Sequence, residues 1–225
     1  MNPLKYLLPS GRRVHTVLAG LFAGIRLHLD LRGGELMFWT GLYEKEIQAE
    51  IRRLARGCRS AVDLGAAQGD LTIWLLLRPE MSQVVAVEPL ADSRVRLQAN
   101  LEVNGLAADS RLRLHAGFAG AGPAPEWLTL DALAADLPEP VFIKIDIDGP
   151  EAQVLDTGRD LLARKNCRLL IETHSPEAET GCLERLAALG YRTRIISPAW
   201  WRIILPEQRP IPHNRWLSAW RPAGP

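Results

Sequence analysis

Residues 61–70 read AVDLGAAQGD, and this stretch decides the fold. A short apolar run contains Asp63, and two glycines, Gly65 and Gly69, follow at the end of the run. This order is typical of a buried strand that turns sharply into a helix, because glycine accepts the backbone conformations that such a turn requires. A helix that begins near Gly69 would present unpaired backbone N–H groups to a bound molecule.

Strand and helix signals alternate around this stretch. Apolar runs predict strands at 60–64, 84–88, 111–115, 141–147 and 168–174, with helical patterns between them. Such alternation predicts a parallel sheet that is covered by helices on both faces. Beyond Gly190, strand-like segments at 191–196, 200–205 and 215–220 have short connections, which predicts antiparallel pairing. The predicted fold is therefore α/β: a three-layer, Rossmann-like sheet, mostly parallel, with antiparallel strands at the C-terminal end.

An N-terminal addition precedes this alternating part. Residues 25–31 alternate apolar and polar side chains, which predicts a strand, and the sequence RGG at 32–34 predicts a turn. We expect residues 36–39, LMFW, to form a second strand. The predicted organisation is a β-hairpin extension over residues 1–40, followed by one α/β domain over residues 41–225.

The overall composition excludes several classes of protein. The 225-residue chain has 27 Lys and Arg against 26 Asp and Glu, so its net charge of +1 provides no basic surface for nucleic acid. No apolar run reaches the length of about 18 residues that a membrane span needs. Three widely spaced cysteines predict buried thiols in a reducing compartment. We therefore expect a cytoplasmic protein, which could be a monomer or a homodimer.

The residues around the glycine loop indicate a particular kind of ligand. A dinucleotide-binding loop would read G-x-G-x-x-G, but the middle glycine is missing between Gly65 and Gly69. The carboxylate of Asp63 would repel a diphosphate and would suit a cationic group. Glu88 ends the next strand, where a carboxylate accepts the hydroxyls of a ribose. A nucleoside with a cationic tail and no phosphate fits these residues, and S-adenosylmethionine is such a molecule.

The adenine ring of this ligand is expected near the end of the strand at 111–115. The nearest residues there are His115, Gly117 and Phe118, and the phenyl ring of Phe118 could pack on the base. The predicted cofactor-binding residues are Asp63, Gly65, Ala66, Gly69, Glu88, Gly117 and Phe118.

Further motifs give the sequence a family resemblance. LTLDAL at 128–133, FIKIDIDGPEAQVL at 142–155 and LLIETH at 169–174 follow the glycine loop in this order. The pattern over about residues 40–175 resembles the FkbM-type family of class I S-adenosylmethionine-dependent methyltransferases, and KIDIDGPE at 144–151 is its most specific part. The resemblance implies methyl transfer from S-adenosylmethionine, mostly to hydroxyl groups of sugars or secondary metabolites. A small-molecule or glycan acceptor is therefore expected.

Candidate catalytic residues follow two neighbouring strands. Because side chains alternate along a strand, Lys144, Asp146 and Asp148 are expected on one side of the first strand. Glu172 and His174 are likewise expected on one side of the second. The predicted catalytic residues are Asp146, Glu172 and His174, with Lys144 as a supporting charge. They could form a base network, which we favour, or an oxygen-rich Mg²⁺ site.

Two other kinds of protein compete with this interpretation. An NAD-linked oxidoreductase can use a similar sheet, but the missing middle glycine argues against it. A catalytically silent cofactor-binding or scaffold protein would keep the sheet, but it would have no evident use for the charged residues of KIDIDG and IETH.

Overall fold

Eleven strands lie within residues 8, 10–123, 125–199, 213 and 215–222, which the computed structural model describes. In chain order they are β1 (Arg13–Thr16), β2 (Arg26–Leu29), β3 (Ser60–Leu64), β4 (Gln83–Val87), β5 (Leu112–His115), β6 (Phe118–Ala119), β7 (Trp127–Leu128), β8 (Val141–Ile145), β9 (Cys167–Thr173), β10 (Arg192–Ile196) and β11 (Arg215–Trp220). The expected strand at 200–205 lies outside the described residues.

The same described residues form eight α-helices and one π-helical turn, Leu31–Glu35. The helices are α1 (Leu36–Thr40), α2 (Gln48–Ala55), α3 (Asp70–Leu76), α4 (Ala91–Val103), α5 (Leu130–Ala134), α6 (Glu151–Thr157), α7 (Arg159–Arg164) and α8 (Pro176–Ala188). In this part of the chain, none of the helices has the length and apolar character that crossing a membrane requires.

The central sheet has seven strands in the order β10-β11-β9-β8-β3-β4-β5. Strands β3, β4, β5, β8 and β9 pair in parallel, whereas β11 runs antiparallel to both of its neighbours, β9 and β10. The predicted mostly parallel sheet with antiparallel C-terminal pairing is confirmed. Strand order reverses between β3 and β8, and ligands of such sheets bind beyond the carboxyl ends of the strands at this point.

Helices cover both faces of the sheet. One apolar core joins one face to α2, α3 and α4 through residues such as Ile51, Leu75 and Leu101. The other core joins the opposite face to α5, α6, α7 and α8 through residues such as Leu133 and Leu186. Neighbouring residues of β3 enter different cores, because side chains alternate across a strand. The described N-terminal residues also belong to the first core, where Val17, Leu27 and Leu31 are buried.

The N-terminal hairpin has a different second strand from the one predicted. Strand β2 pairs in antiparallel register with β1, which precedes it, while the expected strand at 36–39 is helix α1. The prediction for 36–39 is wrong because Asp30 begins a helical turn there: its side chain accepts a hydrogen bond from the backbone N–H of Gly33 at 2.9 Å. The glycines at 33 and 34 therefore lead into a helix and not into a hairpin turn.

The strand predicted over 141–147 is shorter than expected. Strand β8 ends at Ile145, although the N–H of Asp146 still donates to the carbonyl of Leu64 at 3.1 Å. Asp148 has φ +57°, which is not an extended conformation, so the alternation of side chains does not reach it. The prediction that Asp148 lies on the same side of the strand as Lys144 and Asp146 is therefore wrong. The physical reason is the turn that Gly149, with φ +140°, must make before α6 begins.

A buried amide side chain joins the hairpin to the glycine loop. Asn100, on α4, accepts a hydrogen bond at Oδ1 from the backbone N–H of His28, at 2.8 Å. Its Nδ2 donates to the carbonyl of Gln68, also at 2.8 Å. Because Asn100 is fully buried, water does not compete for these bonds. One residue therefore connects strand β2 to the loop after β3.

Candidate active site

Two adjoining cavities open at the carboxyl ends of the parallel strands. The larger has a volume of about 670 Å³ and the smaller about 180 Å³. Both are lined by Tyr43, Gly65, Ala67, Ser93 and Asp146, so they form one continuous cleft. The cleft lies where the strand order reverses, as expected for an open α/β sheet.

The glycine loop forms the floor of this cleft. The N–H groups of Gly65 and Ala66 both donate to the carbonyl of Val87, at 3.0 Å, which ties the loop to the end of β4. Gly69, with φ +86°, is the N-terminal capping residue of α3, and a Cβ atom there would stand 2.7 Å from a carbon of Leu97. Gly65 and Ala66 line the smaller cavity. Gly69 lies outside both linings.

Glu88 lies immediately beyond β4 with its side chain against the loop. Its Oε2 accepts a hydrogen bond from the N–H of Ala67 at 2.8 Å, and its Oε1 accepts one from the N–H of Leu90 at 2.9 Å. The residue is only 5% exposed. It lines the larger cavity together with Gly117 and Phe118, two of the residues expected near the adenine, whereas His115 is not in this lining. The structure thus brings these three predicted residues together.

Phe118 occupies the outer wall of the larger cavity. It is 44% exposed, and its ring stacks on that of Trp127 with the centroids 5.3 Å apart. Leu90, across the same cavity, is 62% exposed. Two apolar side chains at the mouth of a polar cleft give a flat ring something to pack against.

Asp63 lies at the bottom of the smaller cavity. Its Oδ2 accepts a hydrogen bond from the hydroxyl of Thr72 at 2.7 Å, and its Oδ1 meets no hydrogen-bond partner among the described atoms. Burial raises the pKa of this carboxyl, although the nearby charge of Lys144 acts in the opposite direction. A buried carboxylate oxygen without a donor is costly, so a cationic or N–H group of a ligand would stabilise it.

Lys144 lies between the carboxylates of Asp63 and Asp146. Its Nζ donates to Oδ2 of Asp146 at 3.0 Å and to the carbonyl of Gly65 at 3.4 Å, and it lies 3.9 Å from Oδ1 of Asp63. Burial acts to lower the pKa of Lys144, but the carboxylates of Asp146 and Asp63 outweigh burial and raise it above its ordinary value. Lys144 is therefore a fixed positive charge that orients Asp146 and the loop.

The three remaining predicted residues lie close together at the carboxyl ends of β8 and β9. Nε2 of His174 lies 3.8 Å from Oδ1 of Asp146 and 3.8 Å from Oε2 of Glu172. Asp148, from the turn after β8, approaches the same nitrogen at 3.3 Å. Burial acts to lower the pKa of His174, but the surrounding carboxylates prevail and raise it. Neighbouring strands β8 and β9 thus bring these groups together, as the sequence predicted.

Glu151 has a contact that the sequence did not indicate. Its Oε1 accepts a hydrogen bond from the N–H of Gly149 at 2.8 Å. The same oxygen lies 2.6 Å from Nδ1 of His174, and both side chains are buried. Because the two residues are far apart in sequence and meet only through the packing of α6 beside β9, no local pattern could have revealed the pair.

Three further cleft residues were also missed. Tyr43 and Glu44 reach the smaller cavity from the turn between α1 and α2, and Glu44 is buried despite its charge. Asp70 lies in the first turn of α3, and burial raises its pKa to about 6. The only available signal was the position of Asp70 directly after the glycine loop. Nothing local marks a residue in an irregular turn such as that of Glu44.

Comparison with known families gives a match for this architecture. The sequence profile of the family described as "Methyltransferase FkbM domain" matches residues 63–193, which is more than half of the chain. This span contains the end of β3, all of β4, β8 and β9, and every predicted site residue. No match to the chain was found among curated proteins.

Several solved structures of similar shape are methyltransferases. The methyltransferase FkbM from Methylobacillus flagellatus superposes with a TM-score of 0.60 at 20% identity, covering 73% of this chain and 44% of that one. This chain therefore spans less than half of that protein's length. The O-methyltransferase from Bacillus cereus, in complex with SAH, gives 0.53 at 19% identity, covering 78% and 79%.

An rRNA methylase from Streptococcus thermophilus is similar to the same degree, with a TM-score of 0.54 at 16% identity, covering 80% of this chain and 98% of that one. At such low identity these likenesses establish the fold and leave the acceptor undecided. The profile match, the strand order and the cleft at the switch point together lead to one conclusion: the chain belongs to the FkbM methyltransferase family.

Proposed function

We propose that this protein transfers a methyl group from S-adenosylmethionine to a hydroxyl oxygen of a small molecule or glycan. The observation that carries the proposal is the pair of buried carboxylates on either side of the glycine loop. Glu88 lies on the larger cavity, and Asp63 lies in the smaller one. The first suits the hydroxyls of a ribose and the second suits a cation, so one elongated ligand would satisfy both.

The residues of the cleft fit the parts of this ligand. Oδ1 of Asp63 is buried and lacks a hydrogen-bond donor among the described atoms, which supports its role as acceptor for the ammonium group. The carboxylate of Glu88 would accept the ribose hydroxyls, and Phe118 would pack on the adenine. A dinucleotide fits less well, because Asp63 and Asp70 would face its phosphates.

When bound, S-adenosylmethionine supplies a methyl group on a sulfonium; transfer breaks the S–CH₃ bond, forms an O–CH₃ bond and leaves S-adenosylhomocysteine. The chain's own contribution is to hold the acceptor oxygen in line with that bond. Asp146 lines both cavities, which supports a role for its carboxylate close to the methyl group. The hydroxyl must also lose a proton, and Asp146, Glu172 and His174 offer acceptor atoms there.

Calorimetric titration tests the cofactor assignment. We expect S-adenosylmethionine and S-adenosylhomocysteine to bind the purified protein and NAD not to bind. Glu88→Ala should weaken both adenosyl ligands by at least tenfold, about 1.4 kcal/mol. Exposed Glu102 on α4 provides the matched control, since Glu102→Ala should leave both affinities unchanged. No binding of either adenosyl ligand would overturn the proposal.

A second experiment tests the acceptor chemistry. The protein is incubated with methyl-labelled S-adenosylmethionine and a panel of hydroxylated small molecules and glycans, and the product is analysed by NMR to identify the methylated atom. We expect label on oxygen. Asp146→Asn should keep cofactor affinity and lose most turnover. Full turnover in that variant would remove Asp146 from the catalytic residues.

A further inference from the structure

Asp146, Asp148 and His174 line one part of the larger cavity, which we call the acceptor end of the cleft. Side-chain atoms that could bind a metal ion lie close together there. Oxygen atoms of Asp146 and Asp148 and a nitrogen of His174 all lie within 4.8 Å of one another. A second set, formed by Glu44, Asp146 and Glu172, shares Asp146 and has the same spacing. Adjacent ligands of an octahedral ion with bonds of about 2.1 Å lie about 3 Å apart. The separations of 3.3 and 3.8 Å from Nε2 of His174 are therefore close to those of a coordination sphere.

The orientation of His174 is an independent observation that points to a cation. Its side chain is only 5% exposed, and its Nδ1 lies 2.6 Å from the buried carboxylate of Glu151. Its Nε2 meets no hydrogen-bond partner of suitable geometry among the described atoms and is aimed at the carboxylates. A histidine held by a carboxylate through one nitrogen, with the other nitrogen facing acidic groups, is the arrangement that metal sites use.

The charges around this point also favour a cation. Asp146, Asp148, Glu151 and Glu172 each place a carboxylate oxygen within 4 Å of the ring of His174. Lys144 contacts Asp146 on the opposite side, 3.0 Å away, and supplies one positive charge to the group. Carboxylates this close repel one another unless a positive charge lies between them. A divalent ion would balance two of them.

We propose that Asp146, Asp148 and His174 bind a divalent cation of the Mn²⁺ type at the acceptor end of the cleft. Two carboxylates with one imidazole suit such an ion better than Ca²⁺, which prefers oxygen ligands alone. The sequence favoured a network of proton-accepting side chains over a metal site. The contact between Glu151 and His174 favours the metal site, because it orients the imidazole as in metal-binding histidines. Asp148 is 81% exposed, so the ion would face the open side of the cavity, where an acceptor can reach it.

The cation also indicates the chemical class of the methyl acceptor. This inference rests on the proposed function. An open coordination position would take an oxygen of the acceptor, and two adjacent oxygens, as in a sugar diol, would chelate it. Coordination lowers the pKa of a bound hydroxyl. The hydroxyl proton would pass to Glu172, the oxygen would form the bond to the methyl carbon, and the electrons of the broken S–CH₃ bond would remain on sulfur.

Titration with Mn²⁺, followed by electron paramagnetic resonance, tests the site without any substrate. The protein is first dialysed against EDTA and then against chelator-free buffer. We expect one Mn²⁺ per chain to disappear from the free-ion signal. His174→Ala and Asp148→Asn should each weaken binding at least tenfold, and Glu151→Gln should weaken it by about 10- to 100-fold. Exposed Asp160 is the control, because Asp160→Asn should bind as the unchanged protein does.

Because Asp148 is exposed, Asp148→Asn should fold normally, which keeps the test interpretable. No Mn²⁺ binding, or binding unchanged in Asp148→Asn and His174→Ala, would overturn the proposal. Two outcomes distinguish a failure of the metal-site proposal from a failure of the proposed methyl transfer. Methylation that continues unchanged in EDTA would remove the cation's role and leave a methyltransferase. Mn²⁺ binding without calorimetric binding of S-adenosylmethionine would leave a metal site on a protein of another activity.

Discussion

Gly65 and Asp146 touch backbone to backbone where β3 and β8 end: a Cβ atom on Gly65 would overlap the carbonyl oxygen of Asp146. Gly65 also has φ +78°, a conformation that side chains disfavour. The two chain segments that carry the cofactor loop and the acceptor residues can approach this closely only because residue 65 has no side chain. The distance between the two segments therefore depends on having glycine at position 65.

Gly65→Ala tests this contact. We expect a loss of unfolding free energy of about 3 kcal/mol or more, because backbone must move to relieve the overlap. Gly57 also has a positive φ, +70°, but a Cβ atom there would meet nothing within 4 Å. Gly57→Ala should therefore cost only about 1 kcal/mol. Urea unfolding of both variants measures the difference, and equal losses would mean that the contact with Asp146 is unimportant.

Asp70 should make stability depend on pH. Burial raises its pKa to about 6, partly opposed by the charge of Lys144, whereas an unfolded chain titrates Asp near 3.9. The folded state therefore holds this proton more tightly. Ionisation of Asp70 costs stability as the pH rises from about 4 to 6, and the cost is complete above that range.

Asp70→Asn should consequently stabilise the protein by on the order of 2 kcal/mol at pH 8 and by almost nothing at pH 4. Thermal unfolding across this pH range measures the effect. Asp92 lies in the first turn of α4 but is exposed, so Asp92→Asn serves as the control and should show no gain at either pH. A lower melting temperature for Asp70→Asn at pH 8 would show that the carboxylate is favourably ionised.

Ala67 is strained in the glycine loop. Its φ is +47°, a left-handed conformation that asparagine tolerates better than alanine because its side chain can bond to nearby backbone. Ala67→Asn keeps the backbone N–H that Glu88 accepts, and the side chain is exposed. We expect a gain of about 0.5–1 kcal/mol in unfolding free energy. Ala49→Asn, on an exposed site of α2, should instead cost about 0.5 kcal/mol; a loss in both variants would count against strain at Ala67.

The three cysteines should be unreactive in the folded protein. All are buried and free, and burial raises the pKa of Cys58 to about 11 and those of Cys167 and Cys182 to about 12. At pH 8 the thiolate fraction of Cys58 would be about one in a thousand. Ellman's reagent should therefore label none of them quickly in buffer and all of them in guanidinium. Rapid labelling of a native thiol would show that its surroundings open readily.

The sequence was informative where a local pattern decides the structure. Apolar runs of strand length predicted β3, β4, β8 and β9, and the ends of those strands placed Asp63, Gly65, Glu88, Asp146 and His174 at one edge of the sheet. It failed at residues 36–39, since a four-residue apolar run has no period that distinguishes a strand from a helix. There the cap supplied by Asp30 decided for a helix.

The remaining site residues depend on packing between distant segments. Glu44 reaches the cleft from the turn before α2, and Glu151 meets His174 because α6 lies beside β9. Neither relationship leaves a periodicity or a spacing in the chain. Only the tertiary structure reveals that Glu151 lies against the imidazole of His174 and orients it.

Asn100 has a consequence for how the hairpin and the cofactor loop respond to each other. Its amide bonds both the N–H of His28 and the carbonyl of Gln68, so fraying of β2 and loosening of the loop break parts of one connection. By linkage, a ligand that binds the ordered loop should also stabilise the hairpin against opening, by the free energy that couples the two elements. Hydrogen–deuterium exchange at the amide of His28 would then report occupancy of a pocket that His28 does not line.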